Sequence, residues 1–462
     1  MKVPLLVIGG GLSGLAAAIR AARFSPDVLL VETHSRLGGL NSYFYRNKTL
    51  FETGLHAITN YAEPDNKKAP LNRLLRQLKL QRRDLSFCQQ IQSEIVFRDC
   101  ASLLFSNDFE LFRSEVSTKF PDSAGQFHRL LQFLETFDPF HPAPFRSTRS
   151  FLTEIIANPL LVEMMLCPLM YYGSSYEQDI DLSQFAIMFR AIFQEGMFRP
   201  KGTIKDFIDL LDAHYRSLGG NLRLNCGVKK ILLNQNRAIG AELTTGETVE
   251  CDHIVSTIGH EETLRLLTGL PSPQARLPRL GFVESIFRIQ EPSPPTLPAD
   301  RTIIFFNNGE RFNYKIPADF VDFSSGVVCF PANFQELPEK MVREVRSTHL
   351  ANYTKWKNLS ANPAEYSAQK QAASRHSVQL LENIIGSFSA NIVYEDTFTP
   401  VTIERYTSKI GGAIYGSPVK IKDGNIGFSN LFLAGTDQGF LGIIGSMLSG
   451  VSIVNQHVLP KI

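Results

Sequence analysis

The stretch covering residues 5–39, LLVIGGGLSGLAAAIRAARFSPDVLLVETHSRLGG, constrains the fold of this chain more than any other. Residues 5–8 form a short apolar run of the kind that builds a fully buried strand. They run into glycines at 9, 11 and 14, and a small-residue helix, LAAAIRAA, follows. In a G-x-G-x-x-G turn, Gly9 makes the tight bend, Gly11 lets backbone come close to a pyrophosphate, and Gly14 lets helix lie close on strand. The helix start at Leu12 and Ser13 adds free N–H groups and the positive end of the helix dipole. A second strand, residues 28–31, ends in Glu32, where a carboxylate can accept hydrogen bonds from ribose hydroxyls. Two strands, a helix and an acid in this order predict a dinucleotide site on a doubly wound α/β sheet.

Further along, Glu32 opens the pattern E-x-x-x-R-x-G-G through Arg36, Gly38 and Gly39, and Leu40 follows. Residues 51–56 read FETGLH, an acid soon followed by glycine and histidine. Residues 199–231 read as a turn, an amphipathic helix, a glycine pair and strands, with Val228 eight places after Gly220. Residues 399–416 read TPVTIERYTSKIGGAIYG, and residues 430–458 read NLFLAGTDQGFLGIIGSMLSGVSIVNQHV. This set, in this order, resembles the phytoene desaturase, carotenoid isomerase and retinol saturase flavoproteins of the flavin amine oxidase superfamily. Two departures stand out: Leu40 where many members carry Arg or Lys, and Thr203 in place of the second glycine of a P-x-G-G turn.

The resemblance implies FAD as cofactor, held in a Rossmann-like domain of the glutathione-reductase type with an inserted mixed α+β substrate domain. The FAD-binding unit is expected from residues 1–75, 196–259 and 400–462, and the substrate unit from 76–195 and 260–399. It further implies that Gly9, Gly11, Leu12, Ser13, Gly14, Glu32, Arg36, Gly38, Gly39 and Leu40 line one half of the cofactor site. Gly54, Leu55, His56, Val228, Gly435, Asp437, Gly442, Ile443 and Ile444 line the rest. The last three start a helix whose N-terminus stabilises negative charge at the pyrimidine end of a reduced flavin. Glu52, His56 and Arg405 are the candidate proton-handling groups, because the resemblance brings their segments to the flavin.

Composition bears mainly on what the protein does not do. With 47 basic and 45 acidic residues, the net charge of +2 gives no electrostatic basis for nucleic-acid binding. The six cysteines show no metal-ligand spacing, so no metal is expected. No second glycine fingerprint for NAD(P)H is present, which leaves a quinone, oxygen or another carrier as the expected electron acceptor. The 34 Phe and 13 Tyr supply apolar surface for a large core or for a long substrate tunnel.

Between the cofactor segments, residues 90–194 are rich in Phe, Leu and Met and read as helices joined by proline-rich turns. Residues 271–298 form a proline-rich link, and residues 336–387 read as a long helical stretch. Leu71, Leu74, Leu75 and Leu78 recur at helical spacing among basic residues, which suits either a solvated helix or one lying on an anionic membrane. No uninterrupted apolar run reaches the roughly 20 residues of a spanning helix. The expectation is a cytoplasmic protein, with peripheral contact at the cytoplasmic membrane face as an option.

Flavin carries redox chemistry while the protein positions a substrate carbon and excludes water. The resemblance implies desaturation, saturation or redox-neutral cis–trans isomerisation of a long apolar isoprenoid or polyene, carotenoid- or retinoid-like. Two other readings are weighed: a flavin amine oxidase, and a non-enzymatic prenyl-binding protein similar to the GDP-dissociation inhibitors.

Overall fold

The computed structural model describes residues 1–54, 56–141, 143–269, 279–337 and 342–461. Its architecture is set by two seven-stranded sheets. The first has the strand Lys2–Ile8 near its centre, with Leu29–Val31 parallel on one side and Thr248–Ser256 parallel on the other. Leu5, Leu6 and Val7 are fully enclosed, as an apolar strand covered on both faces must be. The short strand Asn221–Arg223 extends the sheet past Leu29–Val31, and Leu431–Leu433 pairs parallel with Thr248–Ser256. A segment from near the C-terminus therefore joins the same sheet as the N-terminal strand.

The second sheet is ordered Ile392–Phe398, Gly281–Ile289, Glu344–Ala351, Ser325–Cys329, Ile303–Asn308, Ser93–Arg98 and Ala101–Phe105. Helices between Phe109 and Phe189 pack on one face of it through Phe, Leu and Met side chains. A small three-stranded sheet of Ile58–Thr59, Met197–Pro200 and Phe87–Gln89 lies at the crossing point of the chain. The fold is α/β, a Rossmann-like FAD domain with an inserted mixed α+β domain, as the sequence predicts.

Several expectations need correction. Residues 90–194 begin with two strands, Ser93–Arg98 and Ala101–Phe105, before the helices start. Their alternation of buried and exposed side chains was masked by the Phe- and Leu-rich composition around them. The stretch 336–387 is not one helix: Glu344–Ala351 is a buried central strand, and the helices Tyr353–Leu359 and Pro363–Ile385 follow. Residues 271–278 of the proline-rich link and residues 338–341 lie outside the described residues. The segment Pro400–Thr407 packs through Pro400 near Gly281 of the second sheet, while its Tyr406 ring meets His34 of the cofactor half edge to face.

The helix Pro70–Leu78 buries Leu71, Leu74, Leu75 and Leu78 against the helix Gly442–Ile453. Its apolar face is thus turned to the interior. Gly442–Lys461 is long and apolar enough to cross a membrane by length and composition, but half of it is buried inside the protein and it packs against the first helix, Leu12–Ala22.

Candidate active site

The two glycine loops of the N-terminal stretch meet in space. Gly38 N–H donates to the Gly10 carbonyl at 2.9 Å, and Gly11 and Gly38 form an isolated parallel bridge. A side chain at Gly14 would place its Cβ 1.9 Å from the Gly9 carbonyl oxygen, so only glycine lets helix and strand approach this closely. At Gly11, by contrast, the space beyond Cα is open. Gly11 caps the first helix with no side-chain hydrogen bond, which leaves N–H groups of its first turn for an anion. Gly39 sits against Gly11, its Cβ position 3.3 Å from the Gly11 Cα.

Glu32 ends the second strand and accepts hydrogen bonds from Gly10 N–H at 2.6 Å and His34 N–H at 2.7 Å. Each carboxylate oxygen keeps a lone pair for a ribose hydroxyl. Arg36 lies over the Tyr43 ring and reaches its carbonyl. Val228 opens its strand next to Gly227, where a Cβ would lie 2.5 Å from Thr33 Oγ1, and Cys226 N–H just before them donates to the Glu32 carbonyl at 2.8 Å.

The C-terminal half closes on the same place. Gly435 (φ 98°) donates to Ser449 Oγ, and its Cα faces Ser13 Oγ. The Ser13 and Thr436 hydroxyls are buried without a hydrogen-bond partner, as expected of groups that turn toward a bound diphosphate. The helix Gly442–Ile453 starts with no side-chain cap, its Gly442 against Thr59 and its Ile443 and Ile444 buried. Two uncapped helix N-termini, an acid at a strand end and orphaned hydroxyls between them fit FAD. Gly9, Gly11, Leu12, Ser13, Gly14, Glu32, Gly435 and Gly442 are the residues that would hold it.

Asp437 braces the loops around it. Its buried carboxylate accepts from Ser417 N–H and His260 N–H, both at 2.8 Å, and so ties three loops together. Burial alone would raise its pKa, but Lys409, Lys420 and the two backbone donors hold it below the usual range. Burial in turn pushes the Lys420 ammonium down to about 8, although Asp437 opposes the shift. Thr203, where a glycine was expected, caps the helix Ile204–Ser217 in a reciprocal pair with Asp206. Leu40 approaches Gly54 closely: a Cβ there would lie 2.6 Å from the Leu40 carbonyl oxygen. Leu55 lies outside the described residues.

The three candidate proton-handling groups part company. Arg405 is exposed on the helix Pro400–Thr407, with its guanidinium over the Tyr406 ring. Glu52 is buried, but it faces Arg199, whose Nη2 donates at 3.0 and 3.3 Å, and it also accepts from Ile204 N–H. It is a structural ion pair. His56 alone lies beside an acid in the interior: Nε2 is 3.2 Å from Glu284 Oε1. Sequence reasoning passed over Glu284, Arg288, Glu344 and Arg346, which form a buried charged group across two neighbouring strands. The signal was charge inside otherwise apolar strands, GFVESIFRI and EVRSTHLA.

Residues 12–288, more than half of the chain, match the family described as flavin containing amine oxidoreductase, and the chain belongs to it. It is an FAD-dependent oxidoreductase. Over its full length it is 22% identical to the 4,4'-diaponeurosporene oxygenase of Staphylococcus aureus (strain USA300), covering 98% of that protein. Among solved structures it resembles an oxidoreductase from Methanosarcina mazei, with a TM-score of 0.69 at 16% identity over 99% of this chain and 100% of the other. It also resembles the cyclohexylamine oxidase of Brevibacterium oxydans IH-35A, with a TM-score of 0.60 at 15% identity over 100% and 98%. The non-enzymatic prenyl-binding reading falls with the family assignment.

Proposed function

We propose that this flavoenzyme acts on a long apolar polyene or isoprenoid of carotenoid type, by desaturation, saturation or redox-neutral isomerisation. The observation that carries the reading is the chemistry of the interior between the second sheet and its helices. Phe105, Phe112, Phe189, Phe193 and Phe305 pack ring to ring there, with Met164, Met165 and Met188 beside them. Such flexible and aromatic side chains wrap an irregular hydrocarbon without asking it for hydrogen bonds. The carotenoid named in the full-length relative supports the same substrate class.

When bound, FAD would supply hydride acceptance or donation. The chain's own part is to exclude water and hold the polyene against the Gly442 turn, whose helix end favours negative charge. A quinone or oxygen serves as electron partner in this reading. Exposed Phe140 and Phe145, with Phe140 stacked on Phe440 two residues before Gly442, are the surface for loading substrate from a lipid phase. An amine substrate finds less: Trp356 is fully buried and donates to the Phe320 carbonyl, so it is committed to packing.

The test is to incubate purified holoprotein with acyclic carotenoid hydrocarbons and, separately, with a panel of primary amines. New polyene isomers or changes in conjugation without amine-dependent peroxide are expected. Peroxide release on amines with every polyene unchanged would overturn the proposal.

A further inference from the structure

The helix Leu182–Phe189 runs into a π-helical turn, Arg190–Gln194, closed by Glu195 N–H donating to the Arg190 carbonyl at 2.8 Å. Such turns are rare and recur at functional sites. Gly196 then bends back at φ 85°, so close to Asn107 that a Cβ there would lie 2.0 Å from its Oδ1. The loop after Ile58–Thr59 is clamped to this turn. Asn60 N–H donates to the Ala191 carbonyl at 3.1 Å, and Tyr61 N–H donates to the Gly196 carbonyl at 3.2 Å.

A chain of side-chain hydrogen bonds crosses the clamp. Glu195 Oε2 accepts from Asn60 Nδ2 at 2.8 Å, and Asn60 Oδ1 accepts from Thr59 Oγ1 at 3.1 Å. A Cβ at Gly442 would stand 3.2 Å from Thr59 Oγ1, so the chain ends at the uncapped helix start that would hold the flavin. Thr59 and Asn60 are buried, whereas Glu195 is half-buried and can exchange its proton with water. Burial pushes the Glu195 pKa up to about 7, against the Asn60 hydrogen bond and the charge of Arg190. The other titratable groups on the elements around it are engaged elsewhere. Tyr61 is tied to Glu63 and Gln89, Arg199 is paired with Glu52, and Asp108 caps the helix Phe109–Lys119. The helix Gly442–Ile453 carries no charged side chain.

A carboxylate only accepts hydrogen bonds, so ionised Glu195 fixes the direction of the whole chain. Asn60 gives its amide hydrogen to Glu195 and turns its oxygen to Thr59, whose hydroxyl then points its proton away from the helix start. A protonated Glu195 can instead donate to Asn60 Oδ1. With the amide turned over, Nδ2 donates to Thr59 Oγ1, and the Thr59 proton is free for the Gly442 turn. We infer that Glu195 is a positioning residue for the flavin, acting through Asn60 to make the Thr59 hydroxyl an acceptor or a donor at that turn. Donation there favours the electron-rich reduced cofactor, and acceptance opposes it. The proton comes from water and returns to it. The inference uses the FAD site alone and is independent of the substrate.

The test is the two-electron reduction potential of the bound flavin in native holoprotein and in Glu195→Gln, from about pH 5.5 to about pH 8.5, on either side of the Glu195 pKa. Glutamine stands in for the protonated acid, because its Nε2 can donate to Asn60 Oδ1. At the acid end the two proteins should agree. At the alkaline end the native flavin should be about tenfold harder to reduce, the worth of one hydrogen bond, or about 30 mV for a two-electron couple. In a Thr59→Val background the same exchange should leave the potential unchanged, and Thr59→Ser should keep the native gap. Each variant is compared at full flavin loading, read from the absorbance ratio of flavin to protein. A gap that is absent, equal at both ends of the range, or undiminished by Thr59→Val would overturn the inference.

Discussion

Replacing Glu52 by Gln tests whether this acid is structural or takes part in proton transfer. Arg199 is fully buried, and Glu52 is 5% exposed. Their pair joins the strand Thr49–Glu52 to the strand Met197–Pro200, and Arg199 Nη1 reaches across to the Pro331 carbonyl at 2.8 Å. Glutamine keeps the shape and one acceptor but leaves the guanidinium charge uncompensated, a loss of roughly 3–5 kcal/mol for a buried pair broken on one side. At about 1 °C per kcal/mol for a chain of this size, the melting temperature should fall on the order of 3–5 °C. The double variant Glu52→Gln/Arg199→Met removes the stranded charge and should recover most of that loss. Melting would be followed by far-UV circular dichroism and by release of flavin fluorescence. A Glu52→Gln protein that melts within a degree or two of the native one while turnover collapses would refute the structural role and return Glu52 to the chemistry.

Glu195 accepts from Asn60 Nδ2 at 2.8 Å, and burial pushes its pKa up from 4.5 to about 7. Between those values the folded protein holds a proton that the unfolded chain has released, so stability should fall as pH rises through the window, by about 3 kcal/mol in all; Glu195→Gln, neutral throughout, should flatten that dependence in urea unfolding at several pH values. Gly14→Ala, whose new methyl would meet the Gly9 carbonyl, should yield protein that has lost most of its flavin, read as the absorbance ratio of flavin to protein.

Much of the cofactor site is legible in the amino-acid sequence. The demands at Gly9, Gly14, Gly38 and Gly442 are local, a positive φ or a backbone approach that a Cβ would block, and glycine meets them wherever the rest of the chain goes. Thr203 shows the limit even there, since a missing glycine proves to be a helix cap. The substrate side is far less legible. The leucines of Pro70–Leu78 could face lipid or interior, and only the packed helix Gly442–Ile453 decides for the interior.

The cofactor is therefore written in the chain itself: a buried strand, a glycine turn and a terminal acid follow from short-range sterics and periodicity. Which charged residues work and which brace is a matter of tertiary packing. Glu52 lies four positions before His56, yet one meets Arg199 and the other Glu284, each far away in the chain. The worth of a buried charge depends on what faces it across the interior, and that is settled only when the two sheets are assembled.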